Sequence, residues 1–536
     1  MTATALVREE EEEPKDENDA LVLSIDECID KLGVGPFQRR VYWAAGLCFG
    51  ADAMEILLLS FLAPLLRDQW GVRPSQTALL TSSIFGGSLV GTLVLGVLGD
   101  AIGRRPTFLL ASLLIATFGI LSSTANNFGT ILFMRTIVGV GIGGLTIPYD
   151  TMAEFLPQSA RGTQLLSLNY FWTLGTLLVV LASYLSQQNW RLFLIVCAVP
   201  CIISTLVSAW WVPESPRWLL SQGRHDQALA VLRQAAQLNQ QQQPQQQQHD
   251  TTNNQLFPPG TILRQPNPDA STHKSCLLLL QPGWFRVILV LSVVWAGFGL
   301  LYYSTVLIIT LVFAHDKDET TRNSGVDIDY VAITMSVLSE FVGVTMVLLT
   351  IDRWGRVVSQ VYSYLLGGIC LGVLCWLSNP AVVSDDEDGG NSNNGRRGWL
   401  VALAFGARLF WMSGSCVTWT ITAELLTTEV RTTGHSLVNA IARVTGGLSP
   451  FVVQGFGWPF SVVGVVLLVA SLVTTAASWT LPETKGIAMG TAILYHPTTN
   501  TTNHNNSATD PHEQQQTRHD LELTNQGNNH ADFEII

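Results

Sequence analysis

The sequence predicts an all-α membrane protein with twelve transmembrane helices in two pseudo-symmetric six-helix bundles. Three observations predict this class. Of 536 residues, 48% are hydrophobic and only 13% are charged, which is about half the charged share of a soluble domain. Twelve apolar runs reach the roughly 20 residues needed to cross a bilayer. Short charged motifs also recur in the same order in both halves of the chain. This composition argues against a nucleic-acid binder and a soluble enzyme.

The apolar runs fall into two groups of six, separated by a polar central segment. Flanking polar residues set the expected ends of each span. The predicted spans 1 to 12 are 41–66, 76–98, 106–124, 128–148, 163–185, 190–212, 284–313, 330–351, 357–377, 399–423, 434–457 and 458–481.

The same pattern predicts the domain organisation and the orientation in the membrane. Arginines concentrate in the loops after spans 2, 4, 6, 8 and 10, whereas acidic residues dominate the loops after spans 7 and 9. Because positive loops stay cytoplasmic, both termini are predicted to be cytoplasmic. We therefore expect a cytoplasmic N-terminal segment with an acidic start (1–40), followed by two six-helix bundles (41–212 and 284–481). A cytoplasmic central loop (213–283) joins the bundles and contains a Gln-rich spacer (239–248). A disordered polar cytoplasmic tail (482–536) follows the second bundle.

Four markers appear once in each half of the chain, which indicates a duplicated six-helix unit. Asp100-Ala-Ile-Gly-Arg104 recurs as Asp352-Arg-Trp-Gly-Arg356, Arg135 as Arg408, Glu154 with Arg161 as Glu424 with Arg431, and Pro213-Glu-Ser as Pro482-Glu-Thr.

These motifs resemble those of the major facilitator superfamily, and in particular its sugar-porter group. Within that group, the segments 49–55 (FGADAME) and 338–341 (LSEF) are most similar to the synaptic-vesicle-protein-related branch, which includes organic-ion and nicotinate carriers. The resemblance implies a fold of two six-helix bundles around a central chamber.

The resemblance also implies a cytoplasmic gate made by the loop motifs. Gly99 and Gly103 allow a tight turn, and we expect Arg104 to reach Glu154. The alternative is that these charges only set the topology at the membrane interface. The predicted gate residues are Gly99, Asp100, Gly103, Arg104, Glu154, Arg161, Asp352, Gly355, Arg356, Glu424 and Arg431.

Ionisable residues within the spans are expensive to bury and therefore indicate function. Asp52 and Glu55 lie three residues apart in span 1, and Arg135 lies in span 4. By resemblance, Asp52 and Arg135 match the acid and the arginine of proton-coupled sugar porters. We therefore predict that Asp52 and Arg135 form the proton-coupling pair, with a static structural ion pair as the alternative.

Aromatic and ionic side chains make up the predicted substrate site between the halves. Sugar porters carry glutamines and an asparagine where this chain has Ser292, Val293 and Phe298, so a sugar is disfavoured. The sign of the substrate charge stays open, and ordinary packing is the alternative for each aromatic residue. The predicted substrate-binding residues are Glu55, Asn169, Trp172, Trp295, Phe298, Tyr302, Tyr303, Glu340, Arg408 and Trp411.

These features together predict a secondary active transporter that moves a small organic ion by alternating access and is coupled to protons. The alternatives are a non-transporting regulatory or binding protein of a vesicle membrane, and a sugar or phosphate transporter. We expect no enzymatic activity, no cofactor and no metal. The expected partners are the organic ion, protons and the lipid bilayer of the plasma membrane or an intracellular vesicle, with no nucleic acid and a monomeric state.

Overall fold

The structure is a computed structural model of the chain. Everything that it describes belongs to one compact unit, whose boundary falls at Ile493. The described residues are 22–144, 146–187, 189–240, 256–258, 261–264, 279, 281–316, 326–379, 392–426 and 428–485.

Twelve spans in the described part of the chain are long and apolar enough to cross a membrane, which confirms the predicted class and number. Spans 4 and 5 each consist of two consecutive helices, and a π-helical turn, Phe451–Gly455, ends span 11. In order, the helices are Pro36–Trp70, Pro74–Ile102, Arg104–Leu121, Phe128–Gly143 with Thr146–Phe155, Gln158–Ser167 with Asn169–Leu185, Trp190–Trp211, Pro282–Val312, Tyr330–Trp354, Arg356–Leu377, Ser392–Leu425, Thr428–Pro450 and Phe460–Trp479.

The outer surfaces of the spans are apolar, as a bilayer requires. Val97 of span 2 is 72% exposed and Val465 of span 12 is 61% exposed. Exposed tryptophans lie near the ends of spans, among them Trp210 and Trp399, where membrane proteins place aromatic residues at the lipid headgroups. The exposed apolar surface is therefore the lipid-facing side of a multi-pass membrane protein.

Most helices extend beyond the apolar runs that predict them. Span 10 begins at Ser392 instead of residue 399, and span 1 continues to Trp70 instead of residue 66. The additional helical turns carry polar residues, which a search for apolar runs excludes. A helix can continue past the hydrocarbon core of the bilayer.

The segments before span 1 and after span 6 form a small folded layer that packs against the first bundle and was not predicted. It contains three helices, α1 (Ile25–Leu32), α2 (Pro216–Ser221) and α3 (His225–Gln240). Strand β1 (Val22–Leu23) pairs in parallel with β2 (Ile262–Leu263). A separate antiparallel pair, β3 (Ala314–Asp316) with β4 (Val326–Ile328), lies between spans 7 and 8.

This layer has its own hydrophobic core, separate from the core of the spans. Phe37, Phe155, Trp218 and Phe257 pack there with the buried side of α1 and α3. Burial raises the pKa of the Cys28 thiol in this core to about 11. The segments before span 1 and after span 6 are thus partly folded against the first bundle.

The predicted spacer over 239–248 is corrected at its beginning. Asn239 lies in α3, accepts a hydrogen bond from the backbone amide of Phe37 (3.0 Å) and donates one to the carbonyl of Leu32 (3.2 Å). Asn239 thereby satisfies a backbone amide at the start of span 1 and a backbone carbonyl at the end of α1, groups that have no partner within their own helices. Residues 241–248 lie outside the described ranges.

Candidate functional site

The charged motifs of the second half form one cluster at one end of the bundle. This second-half motif cluster contains Asp352, Arg356, Glu424, Glu483 and Thr484. The Arg356 guanidinium contacts Glu424 (Nε to Oε2, 3.1 Å) and Asp352 (Nη1 to Oδ1, 2.9 Å). The Glu483 carboxylate accepts the first two backbone amides of span 9, at 2.8 and 3.0 Å, and Thr484 donates to Glu424. Glu483 therefore caps span 9 with a charge that the helix dipole favours.

The first half repeats this arrangement with its own copies of the motifs. This first-half motif cluster contains Asp100, Arg104, Glu154, Glu214 and Ser215. Glu214 accepts the backbone amide of Arg104 at the start of span 3 (2.9 Å), Arg104 pairs with Asp100 (3.0 Å), and Ser215 donates to Glu154. The repeated motifs thus meet in space twice, once in each half. We call the end of the molecule that carries both clusters the motif face, and the opposite end the far face.

Two glycines make the turns that lead into these capped helices. Gly103 has a φ of +113° and Gly355 a φ of +88°, a region that side-chain-bearing residues rarely adopt. A β-carbon at Gly355 would also lie 2.5 Å from a Glu483 oxygen. Gly99 lies beside the Arg104 guanidinium, since a β-carbon there would be 3.6 Å from Nη1.

One expected contact of the first-half motif cluster is absent. Arg104 pairs with Asp100 and makes no ion pair with Glu154 in the described part of the chain, whereas the equivalent Arg356 does contact Glu424. The expectation that Arg104 reaches Glu154 is therefore wrong here, and the Glu154 carboxylate accepts a hydrogen bond from the Ser215 hydroxyl. Arg161 donates to the carbonyl of Leu156 (3.0 Å). The Arg431 side chain lies outside the part that the structure describes.

A buried ion pair in the first half joins span 1 to span 4. Arg135 Nη1 lies 2.8 Å from Glu55 Oε2, and the two side chains are 0% and 1% exposed. The Cys201 thiol contacts the other Glu55 oxygen at 3.7 Å. The predicted contact of Arg135 with Asp52 is thus wrong: Glu55 lies one helical turn, about 5 Å, further along span 1, at the level of Arg135.

Asp52 instead faces the space between the two halves. Its side chain is 4% exposed, and Oδ1 is buried without a hydrogen-bond partner among the described residues. Arg443 of span 11 is the cation close enough to act on its charge. No ion pair joins Asp52 to another described residue, so its carboxylate is available to a ligand.

A second buried ion pair lies in the second half and is linked to the first half. Arg408 of span 10 contacts Glu340 of span 8 through Nε (3.0 Å) and Nη2 (2.9 Å). The Tyr302 hydroxyl donates to the same Glu340 oxygen (3.1 Å) and accepts the Trp172 indole N–H (2.6 Å). Trp172 belongs to span 5, so this chain of hydrogen bonds connects the halves.

A central chamber between the halves gathers many of the predicted substrate residues. The space between its lining side chains, including space open to solvent, is about 660 Å³. Aromatic side chains from both halves dominate its wall, and Asp52 and Arg443 are the charged residues among those that line it. The lining residues are Phe49, Asp52, Tyr149, Asn169, Trp172, Phe298, Tyr302, Tyr303, Met412, Ser415, Trp419, Asn439, Ala442 and Arg443.

Five predicted substrate residues do not line this chamber. Glu55, Glu340 and Arg408 are behind its wall in the two buried ion pairs. Trp411 packs against Tyr364 inside the second half, with ring centroids 5.8 Å apart.

Trp295 is the fifth predicted substrate residue that does not line the chamber, and several residues that do line it were not predicted. Trp295 donates to Thr422 (2.9 Å) and packs behind Trp419. Its expected role as a substrate contact is corrected for that reason. Among the missed lining residues are Tyr149, Trp419 and Asn439. An asparagine within an apolar span is a signal that could have identified Asn439.

A larger vestibule lies between the chamber and the motif face, with about 1670 Å³ of space that includes open solvent. It shares Tyr149, Asn169, Trp419 and Asn439 with the chamber, and Tyr149 and Trp419 contact each other across the halves with ring centroids 5.4 Å apart. Charged residues of both motif clusters line its outer part, including Arg104, Glu154 and Glu424. The chamber and the vestibule therefore adjoin each other at an aromatic contact between the halves.

Contacts between the halves close the far face. Ser82 of span 2 donates to the Gly447 carbonyl of span 11 (2.5 Å), and Ser183 and Tyr330 hydroxyls lie 3.2 Å apart. Within the described ranges, the ion pairs at the motif face all join residues of one half. The vestibule thus lies on the side of the motif face, whereas hydrogen bonds join the halves at the far face.

Comparison with known proteins identifies the architecture. The family model described as "Sugar (and other) transporter" matches residues 50–491. An Escherichia coli xylose transporter, XylE, in a partially occluded inward-open conformation, aligns with a TM-score of 0.60 at 18% identity, over 84% of this chain and 99% of that one. The likeness shows the shared fold.

The chain is also similar in sequence to several named proteins. The "Organic cation/carnitine transporter 7" of Arabidopsis thaliana is 30% identical over 464 residues, which cover 81% of this chain and 88% of the relative. The "Synaptic vesicle 2-related protein" of Bos taurus is 30% identical over 446 residues, or 80% and 75% of the two chains. With its duplicated six-helix halves and a chamber between them, this chain belongs to the sugar (and other) transporter family.

Proposed function

We propose that this transporter moves a small organic ion through the central chamber and couples the movement to protons at Asp52. The observation that carries the proposal is the Asp52 carboxylate, which is buried in the chamber wall with an unpartnered oxygen. A buried carboxylate without a partner favours binding a proton or a cation. Glu55 is a weaker candidate for this role because Arg135 already compensates its charge.

The electrostatic surroundings of Asp52 support a group that changes its protonation state during the cycle. Four ionisable groups interact electrostatically with Asp52: Glu55 and Cys48 of span 1, Tyr303 of span 7 and Arg443 of span 11. Arg443 belongs to the other half. When the halves rearrange, the distance from Asp52 to this cation changes, and with it the proton affinity of the carboxylate.

The wall of the chamber supports an organic ion as the cargo. Aromatic faces bind planar rings and cations, and a sugar requires more directed hydrogen bonds than the neutral polar residues Asn169, Ser415 and Asn439 offer. The name of one relative, an organic cation/carnitine transporter, is in line with this cargo class.

The two cavities support alternating access as the mechanism. A carrier of this kind exposes one central site to each side of the membrane in turn. Here the path from the chamber leads to the motif face, and the contacts that close the far face, such as Ser82 with Gly447, are single hydrogen bonds that can break. We place the motif face on the cytoplasmic side, since arginines concentrate there.

The test is uptake into proteoliposomes that contain the purified full-length chain. With a pH gradient imposed in either direction, wild-type protein should accumulate a labelled organic ion above its equilibrium level. Asp52→Asn should lose the accumulation but keep exchange of labelled for unlabelled ion, because a neutral Asn resembles the protonated acid. Asp226→Asn, at an exposed acid of α3, is the matched control.

Two results would contradict the proposal. Gradient-driven accumulation that persists in Asp52→Asn would remove Asp52 as the coupling group. No flux of any organic ion under any gradient would favour the non-transporting vesicle-membrane protein instead.

A further inference from the structure

Helix α1 lies outside the twelve spans, yet it supplies a charged residue to the vestibule. Asp26, in the first turn of α1, lines the vestibule together with Arg217 of α2 and Glu154 of span 4. Glu424 of span 10 lines the same space from the second half. The N-terminal helix therefore borders the space that both motif clusters line.

Arg217 is bound to Asp26 in this structure. The Nη2 and Nη1 nitrogens of its guanidinium donate to the two oxygens of the Asp26 carboxylate, and the Nη1 to Oδ2 distance is 3.5 Å. The Arg217 and Asp26 side chains are 31% and 64% exposed. An ion pair this exposed to water contributes little to stability, so Arg217 can exchange this partner for another acid.

The position of Asp26 depends on the rest of α1 and not on this ion pair. Ser24 caps the helix through reciprocal hydrogen bonds with Glu27, of 3.0 and 3.2 Å. The apolar side of α1 is buried in the core of the folded layer and consists of Ile25, Cys28, Ile29 and Leu32. Removal of the Asp26 charge should therefore leave α1 in place.

Arg217 is also adjacent to the first-half motif cluster. It follows Ser215, which caps α2 by accepting the backbone amide of Trp218 (3.1 Å) and donates its hydroxyl to Glu154. Arg217 interacts electrostatically with Glu154 and with Arg161 of the same cluster region. The side chain that Asp26 holds is thus a cation at the edge of the predicted gate.

Glu424 is the acid that can receive Arg217 from the other half. Its carboxylate binds Arg356 and Thr484, and a carboxylate offers about four acceptor sites. Within the described ranges, the ion pairs at the motif face all join residues of one half. A pair between Arg217 and Glu424 would therefore favour an arrangement in which the halves lie closer together at this face.

We propose, on the basis of the alternating access inferred above, that α1 is part of the gate at the motif face. Asp26 holds Arg217 at the folded layer and so prevents it from bridging the vestibule to Glu424. Asp26 is a positioning residue in this account, because it acts on the gate through Arg217. The N-terminal helix thereby favours the arrangement in which the vestibule is accessible.

The test is the reaction of a cysteine introduced at Ser436 with a membrane-impermeant maleimide, in the purified full-length protein. Ser436 is exposed and lines the vestibule, so its rate of modification reports access to that space. The protein without the introduced cysteine gives the background of the native thiols. A cysteine at Ala101, which is exposed at the motif face outside the described lining of the vestibule, is the control for the reagent.

Asp26→Asn should slow the modification at residue 436 by about threefold, the factor that one exposed ion pair can supply. The rate at residue 101 should stay unchanged. The slowing should become smaller at high ionic strength, because salt screens exposed charges. Asp226→Asn, at an exposed acid of α3, is the matched control and should react as the wild type does.

Arg217→Gln distinguishes this exchange of partners from a purely structural role of Asp26. If Asp26 acts by holding Arg217, Asp26→Asn should have no effect in a protein that already carries Arg217→Gln. A distortion of α1 would instead slow the reaction in both backgrounds. Equal slowing in both backgrounds, or a wild-type rate in Asp26→Asn alone, would overturn the inference.

The labelling needs no cargo, so failure of this inference and failure of the proposed function are distinguishable. If proteoliposomes accumulate an organic ion while Asp26→Asn reacts at the wild-type rate, the transport function stands and the role of α1 is overturned. If they take up nothing, the transport function fails, and a slower reaction that depends on Arg217 still supports control of the vestibule by Asp26.

Discussion

Asp52 and Glu55 are close in sequence but have different surroundings. Three helical residues place two side chains about 60° apart around the axis and about 5 Å apart along it. That difference directs Glu55 to Arg135 in the first half and Asp52 to the chamber. The sequence could predict that span 1 carries functional acids, but not which of them meets Arg135, because both positions are compatible with one helix face.

The Glu55–Arg135 pair should be a stabilising element, unlike Asp52. Glu55→Gln leaves the Arg135 guanidinium buried without a counter-charge, which costs about 3–5 kcal/mol. Asp52→Asn removes a carboxylate without a partner and should leave stability unchanged or raise it. The measurement is thermal unfolding of each purified variant in detergent.

The double variant Glu55→Gln with Arg135→Gln is the control for this pair. It removes both charges and should recover part of the stability that Glu55→Gln loses. Equal melting temperatures for Glu55→Gln and Asp52→Asn would contradict the assignment of the two acids.

The spans themselves are well predicted by hydropathy, whereas the small folded layer is not. Its helix α3 is polar overall, and it buries Ala228, Leu229, Leu232, Ala235 and Ala236 on one side. This spacing is that of an amphipathic helix and could have identified it. That apolar side packs against α1 and α2. Helix α1 lies far from α3 in the sequence, and α2 is too short to show a helical period.

The hydrogen-bond chain from Trp172 to Arg408 links helices of the two halves. Tyr302→Phe keeps the ring but removes the bonds to Trp172 and Glu340. Such bonds each contribute about 1–3 kcal/mol, so the present conformation should lose part of its population. A cysteine introduced at Ser82, at the closed far face, should then react faster with a maleimide, by about tenfold or more.

Tyr362→Phe is the matched control for this substitution. Tyr362 lies on the lipid-facing side of span 9 and is 53% exposed, so its loss should leave the reactivity at residue 82 unchanged. A Tyr302→Phe protein with wild-type reactivity would show that the chain does not favour the closed far face.

At the level of the whole molecule, the duplication explains why so much could be predicted. The recurring motifs predicted two equivalent halves, and the two motif clusters, with Glu214 and Glu483 at the same helix starts, are the structural counterpart. The conformation could not be predicted in this way. The same spans form the chamber whichever face is open, since alternating access moves the halves largely as rigid bodies.

The central claim is that protonation of Asp52 sets the balance between two arrangements of these halves. Its most direct test is the distance between spin labels on cysteines introduced at Ala101 and Arg353, which are equivalent and exposed positions of the two motifs. In lipid nanodiscs, wild-type protein should show a long and a short distance whose proportions change between acidic and alkaline pH. In Asp52→Asn the proportions should stay fixed. A pH-independent distribution in the wild type, or a pH-dependent one in Asp52→Asn, would contradict the account.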